Sequence, residues 1–493
     1  MLYRWMNYQQ FVRSKQMRAS NRTRLYSQYR QEQVQEKLSQ LGIFSYMDMQ
    51  YAPRDTTAAC DTLDVTMQAT FAKPLDAELE LNVVTKSNDQ TGPGASFGVT
   101  RNNVFGGGES WNVKLKGSYE WQTGGGEKSS LMNSWEMGLS TSLTFPRVVF
   151  PHLGKREFDF PATTTFRLYI NQLNRAKYYK LLSFGGNATY DFQPSRTSRH
   201  SITPFKLTFN VLQHQSEDFK EIAEANPALY VSLRNQFIPA MEYTYTYDNA
   251  SGRRIKNPIW WQSTVTSAGN ITSLIYRAFG KPFNEEDKSL LGAPFAQFVK
   301  LNTELRHLWN IDKNNAIASR MAVGALFTYG NATIAPYSEQ FYVGGANSIR
   351  AFTVRSVGPG GYHPEEGKYS YLDQTGTFRF EANVEYRFRI FKSFWGATFL
   401  DAGNVWLLRK DRKLLADGKE ARPNSQLRLK TFPKQIALGT GVGIRYDMDI
   451  LVFRLDFGIP LHLPYDTDRS GYYNVTGAFF KNLGIHFAIG YPF

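Results

Sequence analysis

Leu483-Gly484-Ile485-His486-Phe487-Ala488-Ile489-Gly490-Tyr491-Pro492-Phe493 carries an apolar or aromatic residue at every odd position, with small or polar residues between them. A β-strand sends successive side chains to opposite faces, so the stretch predicts one apolar face and one face without bulk. A helix would scatter the same residues around its circumference. The spacing predicts a strand over 483–493.

The same two-residue period runs back through the chain. Trp111, Val113, Leu115, Tyr119 and Trp121 alternate with Asn112, Lys114, Lys116, Ser118 and Glu120. Phe378, Phe380, Val384, Tyr386 and Phe388 alternate with Arg379, Glu381, Asn383, Glu385 and Arg387. About sixteen such segments are predicted, near 77–86, 95–104, 109–122, 133–146, 163–174, 178–192, 201–213, 236–248, 258–270, 295–309, 315–330, 377–391, 394–406, 434–446, 450–459 and 483–493. Most are longer than soluble strands and close to the length of a tilted membrane strand. Connections between them alternate short and long, with 147–162 and 175–177 breaking the rule. The expectation is a sixteen-stranded antiparallel transmembrane β-barrel over 75–493. Both termini then fall on the side of the short turns.

Composition agrees with that reading. The 493 residues include 28 Tyr and 36 Phe, and no run of about 18 uncharged apolar residues marks a membrane helix. The net charge of +14 is scattered, with a mild cluster at Arg13, Lys15, Arg18, Arg22 and Arg24, and no nucleic-acid-binding motif accompanies it. Cys60 is the single cysteine, which excludes an intramolecular disulfide. Trp111, Trp121, Trp135 and Tyr169 are read as members of an aromatic girdle at the membrane interface. Glycines 106–108 and 124–126 are read as hairpin ends. The terminal Phe487, Ile489, Tyr491 and Phe493 match the aromatic-ended assembly signal of bacterial outer-membrane barrels.

Residues 1–74 read differently. A helix is expected over about 22–41, closed by Gly42, followed by strands near 43–51 and 61–71, in which Leu63, Val65 and Met67 alternate with polar residues. This is the back half of a small α+β domain. The start Met1-Leu2-Tyr3-Arg4-Trp5 lacks the apolar core of a signal peptide, and a fragment missing upstream domains is the preferred explanation.

Between the predicted strands 315–330 and 377–391 lies Gly344-Gly345-Ala346-Asn347-Ser348-Ile349-Arg350-Ala351-Phe352. It resembles the sixth-loop motif of the BamA/TamA outer-membrane assembly family, in which glycine stands where this chain has Ala351. Phe399-Leu400-Asp401-Ala402-Gly403 resembles that family's aromatic-x-Asp-x-Gly strand. The stretches 439–446 and 453–458 resemble its penultimate strand pair, and the first domain resembles the end of a POTRA module. The glycine of the family motif permits backbone conformations that alanine resists, so a slightly different loop tip is expected.

A long loop folded into a wide lumen loses conformational entropy and needs an anchor. Arg350 offers a planar fork suited to a carboxylate, and Asp401 and Glu385 sit at lumen-facing parity on the following strands. Arg350 is predicted to pair with Asp401, with Glu385 nearby. The resemblance implies a factor in the bacterial outer membrane that folds, inserts or translocates unfolded outer-membrane or secreted clients through a laterally opening barrel. It also implies a periplasmic N-terminal domain, contact with outer-membrane lipid and accessory lipoprotein subunits. A two-partner-secretion transporter and a passive porin are the rival readings. No catalytic elbow, HExxH, metal set or cofactor motif is found, so an enzyme is not expected.

Overall fold

The computed structural model describes residues 26–55, 63–85, 90–122, 134–149, 162–175, 179–217, 235–251, 255–283, 288–290, 293–331, 335–364, 374–409, 422–448 and 451–493. The two-residue period becomes sixteen long strands. They are β3 (Leu75–Thr85), β4 (Gln90–Asn102), β5 (Ser110–Gln122), β6 (Ser134–Phe145), β7 (Ala162–Arg175), β8 (Tyr179–Ser195), β9 (Ser198–Gln215), β10 (Gln236–Asp248) and β11 (Ile259–Ala268), then β14 (Phe298–Asn310), β15 (Asn315–Thr328), β16 (Phe378–Phe391), β17 (Phe394–Trp406), β18 (Ala437–Asp447), β19 (Val452–His462) and β20 (Gly484–Ile489). Each pairs antiparallel with its neighbour in the chain, apart from a minor hairpin, β12 (Ser289–Leu290) and β13 (Ala293–Pro294), between β11 and β14. The sheet curls into a barrel. Its end strands β3 and β20 share no hydrogen-bonded register among the described residues.

Side-chain direction identifies the medium on each face. Leu79, Leu81, Leu139, Phe166, Leu168, Ile170, Val384, Leu400 and Val442 all point outward and lie exposed. The opposite face carries Glu80, Lys114, Glu304, Arg320, Glu381, Glu385 and Asp401, joined by hydrogen bonds and ion pairs. Exposed apolar strands around a polar interior are stable only when lipid covers the outside. Tyr169 corrects the girdle assignment. Its neighbours Phe166, Leu168 and Ile170 face out, so its parity turns it into the lumen, where its hydroxyl lies 3.1 Å from Thr208 Oγ1. Trp111 is outward and exposed, as a girdle residue should be, and Trp135 shares the outward parity of Met137 and Leu139. The side chain of Trp121 lies outside the described residues, as do Cys60, Gly124–Gly126 and the basic cluster of residues 13–24.

At the end with the short turns, helix α1 (Gln28–Gln40) precedes a two-stranded sheet of β1 (Phe44–Pro53) and β2 (Leu63–Phe71). Gly42 ends the helix with φ +62°, the left-handed conformation that favours glycine. The alternation in β2 buries no face, since all its residues are exposed. The unit contacts the barrel through Glu32, which pairs with Arg196 at 3.3 Å, and through Leu41 beside Gly108. Gly106 and Gly108 both take positive φ in that turn.

Glu109 closes the same turn, accepting from Gly107 N at 2.8 Å and from Arg147 Nη2 at 2.9 Å. Burial penalises its carboxylate, but hydrogen bonds from the Glu109 and Gly107 N–H groups and from Arg147 outweigh that penalty and hold its pKa below the usual range. A depressed carboxylate pKa contributes stability above the unfolded value of about 4.3 and loses it as pH falls through the folded value. Hydrogen-exchange protection in residues 103–109, taken relative to the intrinsic rate at each pH, should therefore fall on acidification below about pH 4, and Glu109→Gln should remove that dependence. A lipid-face charge offers a second test: Leu168→Arg should cost about 2–4 kcal/mol in urea unfolding from phospholipid vesicles. The lumenal Ser140→Gln should stay within about 0.5 kcal/mol. Equal effects would contradict the assignment of faces.

Candidate functional site

The connection from Thr328 to Phe378 enters the barrel and lays Arg350 against the wall formed by β16–β20. Register explains why the wall receives it. Asn383 pairs with Asp401 and Asp401 with Gly439, while Glu385 pairs with Phe399, Phe399 with Gly441, Gly441 with Gly458 and Gly458 with Gly484. All these side chains face inward. Carboxylates thus stand on β16 and β17, and glycines form a trough across β18, β19 and β20.

Arg350 is fully buried. Its Nε donates to Asp401 Oδ2 at 2.8 Å and its Nη2 to Asp401 Oδ1 at 2.9 Å, a two-bond fork. Nη1 pairs with Glu385, and the guanidinium lies 3.5 Å from the centre of the Phe399 ring. The main chain is held as well. Arg350 N donates to Asp401 Oδ2 at 3.0 Å, and Arg350 O lies 2.7 Å from His486 Nε2. The structure therefore brings together Arg350, Asp401, Glu385 and Phe399 from the sequence-predicted set.

The other motif residues shape the loop around that contact. Gly344 and Gly345 take φ +102° and +95°, and Gly345 N donates to Phe352 O at 2.8 Å, closing the tip. Ile349, Ala351 and Phe352 are buried in one cluster with Val343, Val357 and Val405. Ala351 is absent from the positive-φ positions, so alanine is accommodated without a left-handed backbone. Its methyl instead fills space over Gly439, where a side chain would collide with it. A Cβ on Gly458 would stand 2.7 Å from Arg350 O and one on Gly484 3.1 Å from the same atom. A Cβ on Gly403 would likewise stand 2.5 Å from Phe380 O.

Six charged residues that sequence reasoning did not assign to the site join it: Arg445, Asp456, Arg454, Arg387, Arg320 and Glu381. Arg445 Nη2 reaches Glu385 at 3.0 Å and its Nη1 reaches Asp456 at 2.6 Å, while Arg454 Nη2 donates to Asn347 Oδ1 at 2.6 Å. Arg-x-Asp at 454–456 and Arg445 share lumenal parity with Glu385, which was the available signal. Arg387 binds Glu385 at 2.7 Å and Arg320 binds Glu381 at 3.2 Å, while Ser348 Oγ donates to Glu381 at 2.5 Å. Guanidiniums and carboxylates thus form two buried groups, linked through Asn383, which accepts from Arg320 at 3.1 Å and donates to Asp401 at 2.8 Å.

The last strand departs from expectation. Ile485, Phe487 and Ile489 form the outward apolar row, but pairing with β19 stops at Ile489. Gly490 takes φ +87° and Pro492 lacks an N–H, so the chain leaves the sheet. Tyr491 and Phe493 turn toward the lumen, where Arg387 Cζ lies 4.2 Å from the Tyr491 ring centre and Nη2 lies 3.3 Å from Phe493 O. The predicted alternation to 493 is therefore corrected: only Phe487 and Ile489 of the terminal signal belong to the outward row. Gly484 and Gly490 divide their roles, the first making room for the loop and the second bending the strand.

A lipid-facing barrel of sixteen strands, with a long loop fixed inside it by a buried arginine, defines a class of outer-membrane protein. Residues 103–493 match the Omp85 superfamily domain, and the chain belongs to that superfamily. Among solved structures it is similar to BamA from Haemophilus ducreyi lacking POTRA domains 1–3, at 13% identity and TM-score 0.54, over 92% of this chain and 76% of that one. It is also similar to CdiB from Acinetobacter baumannii (12%, TM-score 0.47, 87% and 64%) and CdiB from Escherichia coli (12%, TM-score 0.45, 93% and 70%).

Breaking a buried pair leaves one uncompensated charge, at about 3–5 kcal/mol. Asp401→Asn should lower stability by about that amount and expose the 329–377 loop to protease, whereas Leu400→Asn on the outer face should leave the loop protected. Gly458→Val should displace the same loop with both charges intact. If neither variant increases loop cleavage, the anchor does not hold the loop.

Proposed function

We propose that this protein folds and inserts, or translocates, client proteins at the bacterial outer membrane through a barrel that opens at the β3–β20 seam. The observation that carries this reading is the seam itself. β20 contributes only six residues, its end bends away at Gly490, and β3 and β20 lack a shared register among the described residues. A backbone edge left unpaired within a lipid-facing wall is a template for an incoming strand. The Arg350 lattice supports the same reading, because it ties the loop to β16–β20 on one side of the seam.

In this reading residues 1–74 are the last part of a POTRA-like module in the periplasm. The order helix, strand, strand supports it, and a small sheet of this kind can take a client segment as an added strand. Clients are unfolded outer-membrane or secreted chains, the medium is outer-membrane lipid, and accessory lipoproteins dock at the short-turn end. The process calls for no cofactor and no covalent chemistry. Depleting the protein in its own cells should lower the amounts of other outer-membrane barrels together. Unchanged barrels with one secreted protein missing would overturn insertion in favour of a dedicated transporter, and a large steady conductance in planar bilayers would favour a porin.

A further inference from the structure

A short helix outside the barrel wall has no part in the loop lattice. β11 stops at Ala268, paired on its two sides with Ala240 and Phe298. Beyond it, Phe295 bridges directly to Phe237 of β10, and Ala296 N donates to Phe237 O at 3.1 Å. The place β11 would have continued into is therefore taken. Gly269, at φ +70° and crowded against Ala296 O, turns the chain out of the wall, and helix α2 (Asn270–Ala278) follows.

The side of the wall on which α2 sits follows from its contacts. Tyr276 packs against the buried cluster of Phe237, Ala293 and Phe295, with its ring centre 5.9 Å from that of Phe295, and Leu207 and Phe209 pack against the same cluster. Leu207 and Phe209 share parity with the exposed Phe205, and Phe237 with the exposed Met241, while Lys206 and Glu242 of the same strands pair across the lumenal face. The cluster is outward, so α2 lies on the lipid-facing surface at the long-loop rim. Its inner side is fixed, with Ser273 fully buried and donating to Gln297 Oε1 at 3.0 Å. Its outer side presents Ile271, Leu274 and Ile275, each just over half exposed, and Phe279 at 84%. Positions 271, 274, 275 and 279 make one stripe on a helix. Arg277 and Lys281, both exposed, stand at the C-terminal end.

We propose that α2 is an interfacial helix, seated in the headgroup–acyl boundary of the membrane leaflet at the long-loop end. The apolar stripe continues the lipid-covered belt of the barrel, and a helix with one apolar side and cationic residues beside it partitions into that boundary. Arg277 and Lys281 reach anionic phosphates while Ile271, Leu274, Ile275 and Phe279 enter the acyl region. This assignment needs only a lipid-embedded barrel, so it stands or falls separately from the insertion reading.

The test uses the full chain with Cys60→Ser and a single cysteine at Leu274, at Phe279 or, as an aqueous control, at Asp312 in the β14–β15 turn. Each is labelled with an environment-sensitive fluorophore and reconstituted in phosphatidylglycerol-containing vesicles, with and without acyl-brominated phospholipid. Bromolipid should quench the probes at 274 and 279 by at least half, with blue-shifted emission, and leave 312 unchanged. Iodide should show the reverse order. Adding Arg277→Glu and Lys281→Glu should weaken the quenching at 274. Probes at 274 and 279 that iodide quenches as strongly as the one at 312, or that neither quencher reaches because protein covers the stripe, would overturn the proposal.

Discussion

One guanidinium inside the barrel organises much of what surrounds it. Burying a lone charge is so unfavourable that Arg350 can occupy the lumen wall only with its partners in place. Asp401 supplies two oxygens to its fork and a third contact to its backbone, Glu385 pairs with its remaining nitrogen, and Phe399 covers its face. Those partners carry demands of their own. Asn383 donates to Asp401 at 2.8 Å, and Arg445 and Arg387 satisfy the rest of Glu385. Removing one member therefore exposes several others to an unpaired, low-dielectric setting.

The glycines opposite are the steric counterpart of that electrostatic constraint. A loop backbone can approach a sheet closely only where the sheet has no side chains. The row Gly441, Gly458 and Gly484 supplies such a place on three consecutive strands, beside Glu385 and Phe399. Attraction from one half of the wall and vacancy in the other together fix where the loop lies.

Most of the strand architecture was readable because lipid and lumen impose a local period of two on every strand. Arg350, Asp401 and Glu385 were readable from parity joined to a motif. Arg445, Arg454 and Asp456 were visible in the same stretches, yet their place in the lattice required knowing which strands meet. Tyr169 was misassigned because residue type was used where parity decides. Helix α2 escaped since nine residues inside a long connection give a weak pattern, although Ile271, Leu274 and Ile275 carry helical spacing. The turn of Tyr491 and Phe493 was written in Gly490 and Pro492, but an alternating pattern through them hid it.

The loop also gives the cylinder unequal stiffness around its girth. Arg350 and its neighbours cross-link β16, β17, β18, β19 and β20 from within, like a strut braced against one side of a thin tube. β3 is tied to the interior through Glu80, by contacts with Lys114 and Ser96 of nearby strands. When the tube is squeezed out of round, the braced arc keeps its curvature and the unbraced arc flexes. Strain then gathers at the boundary between them, and in the sheet order that boundary is where β20 and β3 stand as the two end strands.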